Sequence, residues 1–167
     1  MTLVRLLAQR AEENRPVRVG VIGAGKFGSM YLAQARRTPG THIMALAELS
    51  PERAQDALRR VCGPDEQFAA NSFADAAETG RTFITEDSHA LVAADGLDVV
   101  IDATGKPAVG AEIGLSAMEA GKHLVMMNVE ADVTIGAYLK REAARLGVTY
   151  SLGAGDEPSS CMELIEF

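Results

Sequence analysis

A doubly wound parallel α/β sheet is the fold class this sequence predicts, on three observations. Apolar runs of strand length alternate with helical stretches along the chain. The first run passes straight into a glycine-rich turn that opens a helix, and no short repeat or low-complexity tract competes with the alternation. Such alternation specifies parallel pairing, and the right-handedness of the crossovers places helices on both faces of the sheet. A chain of 167 residues is long enough for one full core, so one principal domain is expected.

Leu3, Leu6, Leu7 and Ala11 share one side of a leading helix within residues 1–16, which Pro16 stops. Val17 to Ile22 forms the first strand, its unbroken apolar run suiting burial on both faces. A helix follows from Phe27 to about Arg36, and Pro39-Gly40 breaks it before the strand Ile43 to Ala47. Ser50 is placed to N-cap the next helix, with Pro51 at its first position.

Gly63-Pro64 interrupts the chain, and Phe68, Phe73 and Ala76 are expected to pack a short helix on the sheet. Thr82 to Thr85 reads as a third strand, Asp87 to Ala94 as a helix, and Leu97 to Asp102 as a fourth strand. Pro107 starts a helix running to about Ala120, with Gly121 as its left-handed cap, before the strand His123 to Met127. Asp132 is expected to cap a helix lined by Ile135, Tyr138, Leu139 and Leu146 and closed by Gly147. Val148 to Ser151 supplies a sixth strand, and a further helix is expected from Ser159 to Phe167. That apolar ending suggests either the first domain of a longer protein or a short C-terminal helix docked on this same domain, since a terminal segment needs docking to stay ordered.

Composition excludes several function classes. With 47% hydrophobic and 23% charged residues, and no run approaching the roughly 18 apolar residues of a membrane span, the chain reads as soluble with no membrane partner. The N-terminus lacks a signal peptide's apolar core and carries Glu12 and Glu13, which makes a cytoplasmic protein the expectation. Cys62 and Cys161 form no CxxC pair, and His42, His89 and His123 share no ligand spacing, so neither disulfide nor metal site is expected. A net charge of −7 disfavours nucleic acid as a partner. A small phosphorylated ligand remains compatible, because it needs only a few local donors.

Gly23-Ala24-Gly25-Lys26-Phe27-Gly28 joins the first strand to its helix. In this context the first glycine permits the tight turn, the second admits a pyrophosphate to the backbone, and the third lets the helix pack closely. The pattern is the fingerprint of a dinucleotide-binding sheet of the Rossmann type, with Lys26 and Phe27 in the same phosphate-facing turn. Glu48 stands 20 residues after Gly28, where a carboxylate accepts from adenosine ribose hydroxyls and favours NAD. Arg53, just beyond, is either a solvated helix residue or a cation for a 2′-phosphate if Glu48 turns aside.

Ala103, Thr104 and Gly105 follow the fourth strand, at the sheet edge where ligands collect, and are expected to flank the cofactor. Lys106 opens the next helix and is a candidate for contacting a phosphate or a substrate carbonyl. After the fifth strand, Asn128 is a candidate partner of the cofactor's carboxamide or ribose. Glu130 is a candidate general acid or base, or alternatively a first-turn charge complementing the helix dipole.

These segments resemble those of the homoserine dehydrogenase-like oxidoreductases. The likeness is closer to the 1-deoxy-D-xylulose 5-phosphate reductoisomerase-like branch, whose members carry a downstream SAF domain. The resemblance rests on the leading helix, Val19 to Gly28, Asp102 to Gly105, and above all Gly121 to Asp132. Homoserine dehydrogenases place Thr-Ala-Asn-Lys after the equivalent strand, with a catalytically important lysine. Here Met126-Met127-Asn128-Val129-Glu130 keeps the asparagine and lacks the lysine, which favours the reductoisomerase-like branch and, with it, isoprenoid biosynthesis.

The resemblance implies NADPH where Glu48 implies NAD, so the expected cofactor is NAD(P). It also implies a small-molecule substrate and a homodimeric full-length protein, with substrate-binding and dimer-forming parts downstream. The expected division is therefore a leading helix at 1–16, the NAD(P)-binding domain at 17–155, and the start of a substrate or dimerisation domain at 156–167. Residues 1–167 alone are expected to bind the dinucleotide with little or no hydride transfer. Reduction of an aldehyde in the manner of homoserine dehydrogenase, and a non-catalytic dinucleotide-sensing module, remain open alternatives.

Overall fold

The apolar runs become strands because both faces of the sheet they form are covered by helices. The computed structural model describes residues 2–62 and 65–153. Its elements are α1 (Leu3–Glu12), β1 (Val17–Ile22), α2 (Lys26–Ala35), β2 (Thr41–Ala47), α3 (Pro51–Cys62), a 3-10 turn (Asp65–Phe68), α4 (Phe73–Thr79) and β3 (Phe83–Thr85). They continue with α5 (Ser88–Ala93), β4 (Val99–Asp102), α6 (Pro107–Glu119), β5 (His123–Met126), α7 (Val129–Leu146) and β6 (Tyr150–Leu152). The strands form one sheet in the order β3-β2-β1-β4-β5-β6, and every pairing is parallel.

Alternation along each strand divides the core in two. Val19 and Val21 of β1, with Leu46 and Ile101, pack under Leu32 of α2 and Ala54 and Leu58 of α3. Ile22, Met44, Val100, Leu124 and Met126 face the opposite way, under Leu91 of α5, Ile113 and Ala117 of α6, and Leu139 of α7. Gly20 lies beneath α5, where a Cβ would come within 2.6 Å of the Leu91 side chain.

The chain winds outward from β1 to β3, then returns across the sheet to β4. That reversal makes the carboxyl ends of β1 and β4 the switch point at which open α/β sheets form a crevice. Pairing of Ile22 with Asp102 brings Gly23 and Ala103 out of the sheet side by side.

Local chemistry sets the helix ends. Asp87 accepts from the Ala90 N–H at 2.9 Å and starts α5. Ser50 accepts from the Arg53 N–H at 3.3 Å and starts α3, as expected. Ser72 starts α4, and Phe73 packs edge-to-face on Phe83 with ring centres 4.8 Å apart.

Three expectations need correction. The cap of α7 is Asn128, whose side chain accepts from the Ala131 N–H. Asp132 lies one turn inside the helix, and its carboxylate accepts from the Tyr150 hydroxyl instead. The apolar side of α1 is largely exposed, 70% at Leu3 and 42% at Leu6, and α1 contains no buried residue. Its close contact is through backbone: Gly40, at φ +78°, would carry a Cβ 2.0 Å from the Leu7 carbonyl oxygen. The fourth strand begins at Val99 rather than Leu97, and the sixth spans Tyr150–Leu152 rather than 148–151. The expected helix at 159–167 and the proposed boundary at 155/156 lie outside the described residues. Among the described residues no helix is long and apolar enough to cross a membrane.

Replacing Gly40 with alanine combines a backbone clash with a left-handed backbone geometry. The expected outcome is a loss of about 1–3 kcal/mol, read as a lower denaturant midpoint. Burial, reinforced by the bond to Asp132, raises the Tyr150 pKa above the ordinary tyrosine value, and burial raises that of Tyr31. The folded state therefore holds these protons more tightly than the unfolded chain. Their contribution to stability is full below about pH 10 and is lost as pH climbs toward the folded values. Tyr150→Phe is expected to flatten that alkaline loss, measured as the denaturant midpoint against pH.

Candidate cofactor-binding cleft

A cleft of about 400 Å³ opens at the switch point, within the size range of sites for small organic ligands. Its floor is the turn after β1 and the loop after β4, and its sides are the ends of β2 and β3 and the faces of α5 and α6. Of the residues singled out in the sequence, Gly23, Gly25, Glu48, Arg53, Ala103, Thr104 and Lys106 line it.

The three glycines differ in what surrounds them. At Gly23, φ is +98° and a Cβ would lie 2.8 Å from the Ala103 carbonyl oxygen, so this residue sets how closely the two loops approach. At Gly28 a Cβ would meet the Gly23 carbonyl oxygen at 2.1 Å, which makes its absence a condition for α2 to start where it does. Around the missing Cβ of Gly25 there is open space to 4 Å. Gly25 is also the N-cap of α2 and supplies no side-chain acceptor. The start of α2 thus lacks a side-chain cap and has open space beside Gly25, an arrangement suited to an anion.

Glu48 leaves the end of β2 with its side chain only 8% exposed. One carboxylate oxygen, Oε2, accepts from the Ala24 N–H in the glycine turn at 2.8 Å. The other, Oε1, stands 3.8 Å from the Arg53 guanidinium, which is itself 65% exposed. The acidic residue therefore ties the second strand to the glycine turn and restrains the arginine beside it.

Beyond β4, the loop is held from beneath. Asp102 and Asn128 are fully buried. Asp102 Oδ1 accepts from the Thr104 N–H at 2.9 Å, and Oδ2 accepts from Asn128 Nδ2 at 3.1 Å. Asn128 Nδ2 also reaches Thr104 Oγ1 at 3.2 Å and the Lys106 carbonyl at 2.9 Å. Gly110 of α6 covers the pair so closely that a Cβ would stand 2.6 Å from both Asn128 Nδ2 and Asp102 Oδ2.

Several expected contacts are therefore corrected. Asn128 does not face the cleft, because its amide is spent on protein partners. The side chains of Lys26 and Phe27, in the first turn of α2, are exposed outside the cleft lining, Phe27 at 51%, so only their backbone N–H groups stay candidates for a phosphate. Gly105, at φ +65°, bends the loop and is likewise outside the lining. Glu130 is exposed in the first turn of α7, where a carboxylate complements the helix dipole, and does not line the cleft.

The cleft also includes residues the sequence did not mark. Glu86 and Ser88 follow β3, and His89 of α5 faces Glu112 of α6 with Nε2 and Oε1 3.4 Å apart across the rim. Glu86, Ser88 and His89 follow the carboxyl end of a strand, the one sequence signal that marks them. Glu112 has none, since its place depends on α6 packing beside α5. Among the described residues no group of three or more potential ligands is arranged to hold a metal ion.

Residues 17–152 match the model of the GFO/IDH/MocA oxidoreductases, described as an oxidoreductase family with an NAD-binding Rossmann fold. A curated relative, glycosyl hydrolase family 109 protein 1 of Bacteroides thetaiotaomicron, is 34% identical over 119 residues, 71% of this chain and 23% of the relative. The matched segment thus spans about a quarter of that protein. A scyllo-inositol dehydrogenase of Lactobacillus casei, solved with NAD(H) and scyllo-inositol, superposes with a TM-score of 0.64 at 16% identity over 90% of this chain and 41% of that one. A homoserine dehydrogenase of Thiobacillus denitrificans gives 0.59 at 18% identity over 82% and 29%. At these identities the two structures establish the shared fold alone. The expected reductoisomerase-like branch, and the isoprenoid role it carried, find no support, because the matching family is a different one.

The close cover over the buried pair gives a direct test. Gly110→Ala is expected to lower stability by about 1–3 kcal/mol, since its methyl group displaces the Asp102–Asn128 contact. Thermal or denaturant unfolding measures the change.

Proposed function

The chain belongs to this NAD-binding oxidoreductase family, and from that premise we propose that it is the cofactor-binding part of an enzyme that moves hydride between a nicotinamide dinucleotide and a small carbonyl or alcohol substrate. The observation that carries the reading is the open space at Gly25, directly over the uncapped start of α2 and between two loops that Gly23 and Gly28 hold close. A pyrophosphate has the charge and size for that position. When bound, the dinucleotide supplies or accepts the hydride, and the protein's work is to bind and orient it.

The residues of the cleft divide that work. Backbone N–H groups of the glycine turn and of α2 hold the phosphates. Glu48, restrained by Ala24 and Arg53, presents Oε1 as an acceptor for ribose hydroxyls. Thr104 offers a hydroxyl from the opposite wall. Lys106, exposed in the cleft lining, is the remaining candidate for touching a phosphate or a substrate carbonyl. Glu130 is given no catalytic part.

The charge around the cleft favours NAD over its phosphorylated form. Glu48, Glu86 and Glu112 line it against Arg53 and Lys106, and Arg53 is already drawn to Glu48. An additional 2′-phosphate there would meet carboxylates at close range, a juxtaposition that costs several kcal/mol when unscreened. Substrate groups and dimer contacts belong, on this reading, to further parts of the protein.

Titration with NADH and NADPH, followed by nicotinamide fluorescence, tests the proposal. NADH is expected to bind more tightly by about tenfold or more. Gly25→Val is expected to abolish binding while leaving the fold intact, because the valine side chain fills space that is open in the protein. Absence of NADH binding, or unchanged affinity in Gly25→Val, overturns the reading.

A further inference from the structure

The amide of Asn128 has more acceptors than protons. Its two N–H groups face three oxygens: the Lys106 carbonyl at 2.9 Å, Asp102 Oδ2 at 3.1 Å and Thr104 Oγ1 at 3.2 Å. The reverse orientation of the amide is excluded, because Oδ1 accepts from the Ala131 N–H at 3.1 Å and a flipped group would set donor against donor there and acceptor against acceptor elsewhere. Donation therefore runs one way, from Asn128 outward to the loop after β4.

This fixes the polarity of Thr104. Its N–H is already given to Asp102 Oδ1 at 2.9 Å, and its hydroxyl oxygen is approached by the amide from the buried side. The hydroxyl proton has no acceptor among the described residues, and Thr104 lines the cleft. A hydroxyl that receives a hydrogen bond from behind presents its own proton forward.

We propose that Asn128 is a positioning residue that makes the Thr104 hydroxyl a donor into the cleft, and that the ligand atom met there is an oxygen acceptor of the dinucleotide. A phosphate, ribose or carboxamide oxygen shares that chemistry. The inference rests on the dinucleotide reading above and deepens it. It gives the asparagine after β5 a part in binding without contact, and accounts for a buried carboxylate at Asp102 that the hydride transfer itself does not call for. Asp102 completes the device by fixing both the Thr104 backbone and one amide proton, so that the loop cannot rotate the hydroxyl away.

The test uses the full chain, NADH as probe, and four variants. Thr104→Val keeps shape and loses the donor, and is expected to weaken NADH binding by about tenfold. Thr104→Ser restores the hydroxyl and is expected to bind within about twofold of the parent. Asn128→Asp retains the acceptor to Ala131 but removes the donors and sets a second carboxyl group against Asp102; a loss of about tenfold or more is expected. In the Thr104→Val background the same Asn128→Asp change is expected to cost much less, because the two residues act through one bond.

Parent-like binding by Thr104→Val, or additive losses in the double variant, overturns the inference while leaving the cofactor assignment standing. Failure of the parent chain to bind NADH overturns both. Should Asn128→Asp fail to fold, the contrast between Thr104→Val and Thr104→Ser decides alone: loss with rescue supports the donor, and equal binding refutes it.

Discussion

Two backbone loops approach each other at the carboxyl edge of the sheet, and the distance between them governs what lies around it. Parallel pairing of β1 with β4 puts Gly23 and Ala103 at one level, and the absent side chain at Gly23 lets the turns touch. Gly28 then allows the first turn of α2 to fold down on the Gly23 carbonyl. A methyl group at either position would meet backbone at under 3 Å and force the loops or the helix to shift. The cleft is thus a product of backbone proximity, to which side chains add selectivity.

Beneath the second of these loops, the protein bears the cost of burying a carboxylate. An isolated ionised group in such a place is strongly unfavourable, and hydrogen bonds must offset it. Asp102 receives them from the Thr104 backbone and from Asn128, while Asn128 spends its remaining capacity on Lys106 and on the start of α7. One small network therefore joins the ends of β4 and β5 to the beginnings of α6 and α7. Apolar residues would pack there more cheaply, but they would not fix the direction in which Thr104 points.

Membership of an NAD-binding oxidoreductase family agrees with the glycine turn and says less about the opposite wall. That wall carries Glu86, His89 and Glu112. Glu48 is bound to the glycine turn, and the acidic balance of the cleft is what the proposed preference for the unphosphorylated dinucleotide rests on.

The glycine turn, the alternation of strands and helices, and the caps at Ser50 and Gly147 were legible from sequence, because each depends on residues close together in the chain. Periodicity and turn chemistry are local properties, and they determined the α/β class and the position of the turn where a dinucleotide is proposed to bind. The role of Asn128 was not legible: the same residue that could reach a ligand is turned inward by an aspartate 26 residues earlier. Nor was the meeting of His89 with Glu112, which exists because α5 and α6 lie side by side on one face of the sheet. Asp132 was misread as a helix cap for the same reason, its carboxylate being claimed by Tyr150 from the edge strand. A side chain's partner is chosen by whichever group packing delivers, and that delivery was decided by the tertiary structure alone.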